Sequence, residues 1–444
     1  MTEIQIPLKE IGQIRSRSVN EIAGSSFTLG CETLDRDFAN YDEYKEYIAP
    51  LGIKTIRLQA GWAKTEKVPG TYDFGWLDHI IDDARSRGLN ILLETDYGNP
   101  NYPGGGGFDL GAGFPESEEA LAAWDRWIEA MARRYAGKVR DWAMWNEPDC
   151  FGKTVAQIVD FNIRTMKIIR RIIPDARIAG LSLAGSSDAF DEYLALLQEK
   201  NELESFDWII YHGYQLNPDV AYDIGNRLKD FLTRRSAKVK LRQGENGCPS
   251  ERTYRFGLKG INWTELSQAK WDLRRFIGDT GSGVESCVFT ICDFNHIGRE
   301  INRKGLLRAE EDHKVVGKKI AYYAIQHMAS VFDNSIQPAP RDRAAFFFKR
   351  NCALFPFSAK DGGNILAYWD RSNIPSDRVV PEAVEIMFKD FPFDEPVLVE
   401  MITGKVYEIP ANRISKSGEC VVFQDIPILD SPFLIAEKRL LHLV

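Results

Sequence analysis

The chain has 444 residues, 44% hydrophobic and 27% charged, which is ordinary globular composition with apolar material for two or three domains. Acidic side chains outnumber basic ones, 64 to 56, and the formal net charge of −8 gives no electrostatic footprint for nucleic acid or anionic lipid, so neither is expected as a partner. No apolar run reaches the roughly 18 residues that a bilayer crossing needs, and the opening MTEIQIPLKEIGQIRSRS lacks the apolar centre of a signal peptide. The seven cysteines, scattered and without CxxC spacing, argue against a disulfide framework or a zinc site and point to a reducing, cytoplasmic setting.

Residues 1–25 have no clear period and can add a strand to a β module elsewhere in the chain. From there to residue 332 short β-branched runs alternate with stretches of helical periodicity, the pattern of βα units on a parallel sheet. Strands are predicted over 27–34, 54–58, 90–96, 139–145, 176–183, 208–211, 239–243 and 286–291. Helices are predicted over 41–48, 74–87, 116–135, 154–173, 189–199, 221–235, 263–277 and 315–332. Eight such units over about 300 residues match a (β/α)8 TIM barrel, whose catalytic groups sit at the C-terminal ends of the strands. An open doubly wound sheet is the competing α/β architecture, disfavoured because the first βα turn carries no GxGxxG fingerprint. Residues 333–444 change character: AAFFFK, NILAYWD, AVEIMFKDF, PVLVEMITGKVYEI and ECVVFQDIPILDSPFLIAEK are short strands between turn residues, a C-terminal all-β sandwich. The expected division is therefore 1–25, 26–332 and 333–444.

Two segments carry chemistry. WAMWNEPD (142–149) ends the fourth strand on Asn146 and Glu147, with Pro148 removing the next backbone donor. KLRQGENG (240–247) ends the seventh strand on Glu245, where an apolar run opens into glycine. Strands four and seven face each other across an eight-stranded barrel, so the two carboxylates converge over its mouth. Such a pair suits glycosidic cleavage, one group protonating the departing oxygen while the other attacks or stabilises the oxocarbenium-like carbon. The glycine-rich stretch 99–114 lacks the Gly-Lys-Ser/Thr ending of a phosphate loop and is read as a rim over the site. His79, His296, His313, His327 and His442 show no metal-ligand spacing, and a two-carboxylate mechanism calls for no metal or cofactor.

Asn-Glu-Pro closing strand four, with a second Glu closing strand seven, resembles the clan A retaining glycoside hydrolases, family 39 and its relatives above all, over roughly residues 27–330. IKTIRL (53–58), ILLETDYGNPNY (91–102), IIYHGY (209–214) and residues 305–328 add to the resemblance. It implies a (β/α)8 barrel acting on an oligosaccharide or glycoside, by double displacement at a β-D or stereochemically equivalent α-L linkage. It assigns Glu147 as acid/base and Glu245 as nucleophile. Asn146 would bind the sugar hydroxyl beside the reacting carbon, Arg57 and Tyr214 would hydrogen-bond Glu245, and His212 would orient them or touch sugar. Strand eight departs from the pattern: it reads FTICDF (289–294), where many clan members carry a tryptophan sugar platform. Phe289 fills that place, or Trp62 or Tyr97 supplies the stacking; Asn99, Asp293 and Asn295 follow strand ends as further sugar contacts. Two other readings use the same glutamates, a barrel that binds carbohydrate without cutting it and a transglycosylase. The sequence does not specify an oligomeric state.

Overall fold

Eight parallel strands close on themselves in the computed structural model, which describes residues 4–110, 113–185, 189–296, 300–340, 346–347, 351–389, 392–418 and 420–444. They are β1 (Phe27–Gly30), β2 (Thr55–Gln59), β3 (Asn90–Glu94), β4 (Asp141–Ala143), β5 (Arg177–Leu183), β6 (Trp208–Tyr211), β7 (Lys240–Asn246) and β8 (Glu285–Val288). Thr28 pairs with Thr55 on one side and with Cys287 on the other, so β1 joins both β2 and β8 and the open doubly wound alternative is removed. Leu92, Ala143, Ala179, Trp208 and Ile210 form a cluster of their own, apart from the main core. Trp208 is flanked by the guanidinium groups of Arg177 and Arg242, 5.1 and 4.4 Å from its ring.

The helices Tyr41–Leu51, Gly75–Ser86, Glu118–Tyr135, Val155–Ile172, Phe190–Glu199, Pro218–Thr233, Glu265–Gly281 and Ile320–Val331 follow the eight strands in turn. Ser117, Thr154 and Thr264 each accept from a backbone N–H in the first turn of the helix they precede, a cap worth about 1 kcal/mol. One expected helix starts late. Val315–Lys318 is a strand paired with Leu307–Ala309, because adjacent β-branched valines followed by glycine favour a hairpin over a helical turn.

The antiparallel part has a seven-stranded sheet in the order Glu10–Gln13, Lys405–Glu408, Pro396–Glu400, Phe433–Glu437, Asn364–Asp370, Cys352–Ala359, Ile336–Pro338. A four-stranded sheet contains Phe346–Phe347, Glu382–Lys389, Cys420–Ile428 and Ile414–Ser417. Tyr368 on the first sheet donates to the Pro427 carbonyl on the second at 2.9 Å.

Helix Glu265–Gly281 joins barrel and sandwich, and every residue from Leu266 to Thr280 is buried although many are charged. The charges are paired: Lys270 with Asp430 at 2.7 Å, Arg274 with Asp219, and Arg275 with Asp279 at 2.7 Å. Trp369 of the sandwich donates to the same Asp219 at 2.7 Å. Burying such groups costs several kcal/mol each unless every partner is in place, so this seam fixes the register between the two parts.

Candidate active site

The C-terminal ends of the strands bring Glu147 and Glu245 to one cavity of about 700 Å³, each side chain close to 14% exposed. An oxygen of one carboxylate lies within 4.8 Å of an oxygen of the other. Glu245 sits within β7 at a bulge, where the pairing to β8 slips between Gln243 and Asn246. Gly244 before it has no substitute: a Cβ there would stand 2.3 Å from Ile210 on the neighbouring strand. On the other wall β4 stops at Ala143, and Glu147 adopts left-handed backbone angles (φ 48°, ψ 50°) before Pro148 opens a short turn. That conformation is uncommon for a residue with a Cβ, and here it turns the carboxyl toward the barrel mouth.

The two carboxyl groups have different surroundings. Arg57 donates to Glu245 Oε2 at 2.9 Å and Tyr214 donates to Oε1 at 3.2 Å. Burial pushes the Glu245 carboxyl up, but His212, Arg57 and these hydrogen bonds outweigh it, and the group is held below the usual glutamate range. Glu147 instead meets His212, whose Nδ1 lies 2.8 Å from Oε1. Burial disfavours the imidazolium, yet the charge of Glu245 and the contact with Glu147 raise the His212 pKa above the histidine norm.

Arg57 is fully buried and also serves Glu32 at 2.7 Å, Glu94 at 2.6 Å and the Asn146 side-chain oxygen at 2.7 Å. Three carboxylates share one guanidinium. Burial dominates at Glu32, and with the charges of Glu245 and Glu94 it overrides the pull of Arg57, setting Glu32 at about 7. Glu94 is raised for the same first reason. Among the described residues, Glu147, His212 and Glu245 form the one group able to offer three ligand atoms to a metal, and each already has a protein partner.

Asn146, Tyr97 and Phe289 line the cavity together with the two glutamates and Tyr214. Asn146 donates to the Tyr97 hydroxyl at 2.9 Å. The other expected contacts lie elsewhere. His212 is fully buried behind Glu147, neither orienting Arg57 and Tyr214 nor reaching the cavity. Trp62 is fully buried between Tyr102 and Trp127, at ring distances of 5.5 and 5.9 Å, and is core. Asn99 spends its amide on the Glu66 carbonyl at 2.8 Å, and Asn295 donates to the Glu311 carbonyl at 3.3 Å. Asp293 is clamped by Lys319 at 2.6 Å and Arg303 at 3.0 Å, an ion-pair site beneath the rim. Each of these five follows a strand end, but proximity in sequence to a barrel rim does not say whether a side chain turns inward or toward the next loop.

Sequence reasoning passed over Glu32, Gln59, Arg36, Phe256 and Lys304, all on the cavity wall, and Glu94 behind it. Glu32 and Glu94 carried the same signal as the chosen pair, a carboxylate where an apolar strand ends. Phe256 and Lys304 lie in long loops where periodicity is silent. The Phe256 ring stacks on His296 at 4.9 Å and 24°, giving the cavity an aromatic face beside Phe289. Phe256→Ala should raise KM by about tenfold and leave kcat nearly unchanged if that face holds ligand before and during reaction alike, which steady-state kinetics would show.

A family model described as beta-galactosidase, glycoside hydrolase family 42, matches residues 36–103. The segment spans β2 and β3 with Arg57 and Glu94, and stops short of both cavity glutamates. "Beta-galactosidase BgaA" of Clostridium cellulovorans is 33% identical over 61 residues, 14% of this chain and 9% of that protein. Among solved structures, a family 39 glycoside hydrolase from the gut symbiont Bacteroides cellulosilyticus WH2 superposes with a TM-score of 0.68 at 15% identity, over 93% of this chain and 81% of the other. A monomeric beta-xylosidase from Caulobacter crescentus CB15 gives 0.61 at 14%, covering 96% and 97%. The fold is the one these glycoside hydrolases share. A family 30 endoxylanase from Clostridium papyrosolvens C71 has it too, with a TM-score of 0.58 at 12% identity over 97% and 98% of the two chains. The motif resemblance to clan A and family 39 is thus borne out in architecture, barrel and β domain together. Among the described residues no helix is long and apolar enough to cross a membrane.

Proposed function

We propose that this protein is a retaining glycoside hydrolase in which Glu147 is the acid/base and Glu245 the nucleophile. The observation that carries the reading is the unequal pair: two facing carboxylates with their nearest oxygens within 4.8 Å, one held toward its charged form by Arg57 and the other bound by no arginine or lysine among the described residues. Retaining enzymes keep their carboxyl groups about 5–5.5 Å apart, against about 6.5–9.5 Å where a water must fit between for inversion. The short separation supports retention.

In the first step a Glu245 oxygen attacks the anomeric carbon while Glu147 gives its proton to the departing glycosidic oxygen, leaving a glycosyl ester on Glu245. In the second, Glu147 takes a proton from water, the hydroxide oxygen bonds to the anomeric carbon, and Glu245 leaves as carboxylate. Arg57 and Tyr214 stabilise that leaving carboxylate as they hold it beforehand. Asn146, fixed between Arg57 and Tyr97, is placed to bond the hydroxyl next to the reacting carbon, where a hydrogen bond strengthens as charge develops.

The test is a panel of aryl glycosides that includes β-D-xylosides and β-D-galactosides, the sugars in the names of the similar proteins, with the first-formed product followed by proton NMR. A β-D substrate should yield the β-anomer first. Initial release of the α-anomer would refute the mechanism, and absence of release from every aryl glycoside and oligosaccharide offered would refute the activity.

A further inference from the structure

Among the described residues the buried lysines and arginines are ion-paired, with one exception that faces the cavity. Lys270 meets Asp430 at 2.7 Å, and Lys319 meets Asp293 at 2.6 Å with Ser250 at 2.9 Å. Lys304 is 2% exposed and lines the cavity, yet its ammonium group forms no hydrogen bond or ion pair among the described residues. It stands over two rings, 5.6 Å from that of Tyr214 and 5.7 Å from that of Phe256. Cation–π contacts of this kind recover only part of what desolvating an ammonium costs. A position that keeps such a charge against the interest of stability is a candidate for ligand recognition.

Its location narrows the ligand. The Tyr214 hydroxyl beneath it bonds Glu245, so Lys304 lies on the nucleophile's side of the cavity, with Glu147 opposite. A leaving group departs on the acid's side; the sugar that becomes attached to Glu245 stays on Lys304's side. Arg255 also lines the cavity, and its guanidinium has no hydrogen bond or ion pair among the described residues. We propose that Lys304 reads an anionic substituent, a carboxylate or a sulfate ester, on the sugar bound against Glu245, with Arg255 at the rim adding to the field. Such a group supplies the partner that the fold withholds. Burial brings the ammonium down to about 8, against the opposing pull of Cys248, Glu245, Glu300 and Asp272, and leaves it mainly charged at neutral pH.

This inference rests on the glycoside hydrolase reading, and its test separates the two. Matched aryl glycosides are compared: β-D-glucuronide with β-D-glucoside, β-D-galacturonide with β-D-galactoside, and 6-sulfated with unmodified galactoside. The acidic member of at least one pair should have a kcat/KM higher by about 10²-fold, and the uronide and sulfate arms distinguish the two anions. Lys304→Met should lose about that factor on the acidic substrate while changing the neutral one less than about threefold, with a Tm equal to or above wild type because an unpaired buried charge has gone. Equal losses on both members would overturn the proposal, since Lys304 would then only balance Glu245; so would a preference for the neutral sugars. Calorimetric binding of free glucuronate and galacturonate, against glucose and galactose, needs no turnover. If no glycoside is cleaved, tighter binding of the acids that vanishes in Lys304→Met still supports the inference, and equal or absent binding overturns it.

Discussion

Glu245→Gln is expected to lower kcat on the best aryl glycoside by on the order of 10⁶-fold, the scale seen when an essential nucleophile is removed, without loss of fold. The amide keeps the shape, and its oxygen can still accept from Arg57 or Tyr214, so the variant loses the attacking charge and little packing. Its Tm should fall modestly at neutral pH, because the fold holds the Glu245 carboxylate below its usual range and the amide gives up that charged contact with Arg57. Glu147→Ala should cost about 10²–10⁴-fold, the range of general acid–base catalysis, and least where the leaving group needs no proton. Azide provides the decisive contrast in the two alanine variants. In Glu245→Ala it takes the nucleophile's place and converts a β-D substrate to the α-glycosyl azide. In Glu147→Ala it attacks the intermediate already formed on Glu245 and gives the β-azide. Product azides of one configuration from both variants, or an active Glu245→Gln, would falsify the assignment.

The order of elements was legible because it depends on local periodicity. Eight apolar runs alternating with eight amphipathic stretches left few closed architectures, and the paired registers of β1 with β2 and β8 are what such a chain reaches when it buries both faces of a parallel sheet. Strand ends were read less well. β4 was expected over 139–145 and pairs only over Asp141–Ala143, since the chain must leave the sheet early to turn Glu147 inward. β7 runs on through Glu245 because a bulge, invisible to a hydropathy pattern, absorbs the change of direction. The two cavity glutamates stood out because a carboxylate ending an apolar strand is costly unless used. Glu32 and Glu94 meet the same criterion, but the sequence could not tell that a single arginine gathers them. Trp62 shows the converse: an aromatic just past a strand end looks like a platform, and the neighbouring helices claim it for the core. Lys304 could not be found in sequence at all, because what distinguishes it is the absence of an ion-pair partner in space among the described residues.

Arg57→Met should be the most damaging single change to stability near the site, by about 3–5 kcal/mol at neutral pH, because it leaves Glu32, Glu94 and Glu245 buried without their cation. The sign of its pH dependence follows from the same contacts. In wild type Glu245 is held below its usual range, so its share of stability is present above the unfolded value and is lost as acid protonates it in the fold. Without Arg57 the Glu32 and Glu94 carboxyls, already above their usual range, rise further, and Glu245 keeps only His212 and Tyr214 against its burial. The folded variant then binds more protons than the unfolded chain, and its stability must fall as pH rises through and beyond the usual carboxylate range. Melting curves between pH 5 and pH 8 should therefore show the variant's deficit narrowing toward pH 5 and widening toward pH 8. The acid limb of kcat/KM should move up in pH as Glu245 becomes harder to ionise. Arg57→Lys separates charge from geometry: one ammonium should recover much of the Tm but cannot match the fork that reaches Glu245, Glu32, Glu94 and Asn146 together, so kcat should stay low. An Arg57→Met protein with wild-type melting at pH 8 would mean that Glu32 and Glu94 are already neutral there, and that Arg57 serves Glu245 alone.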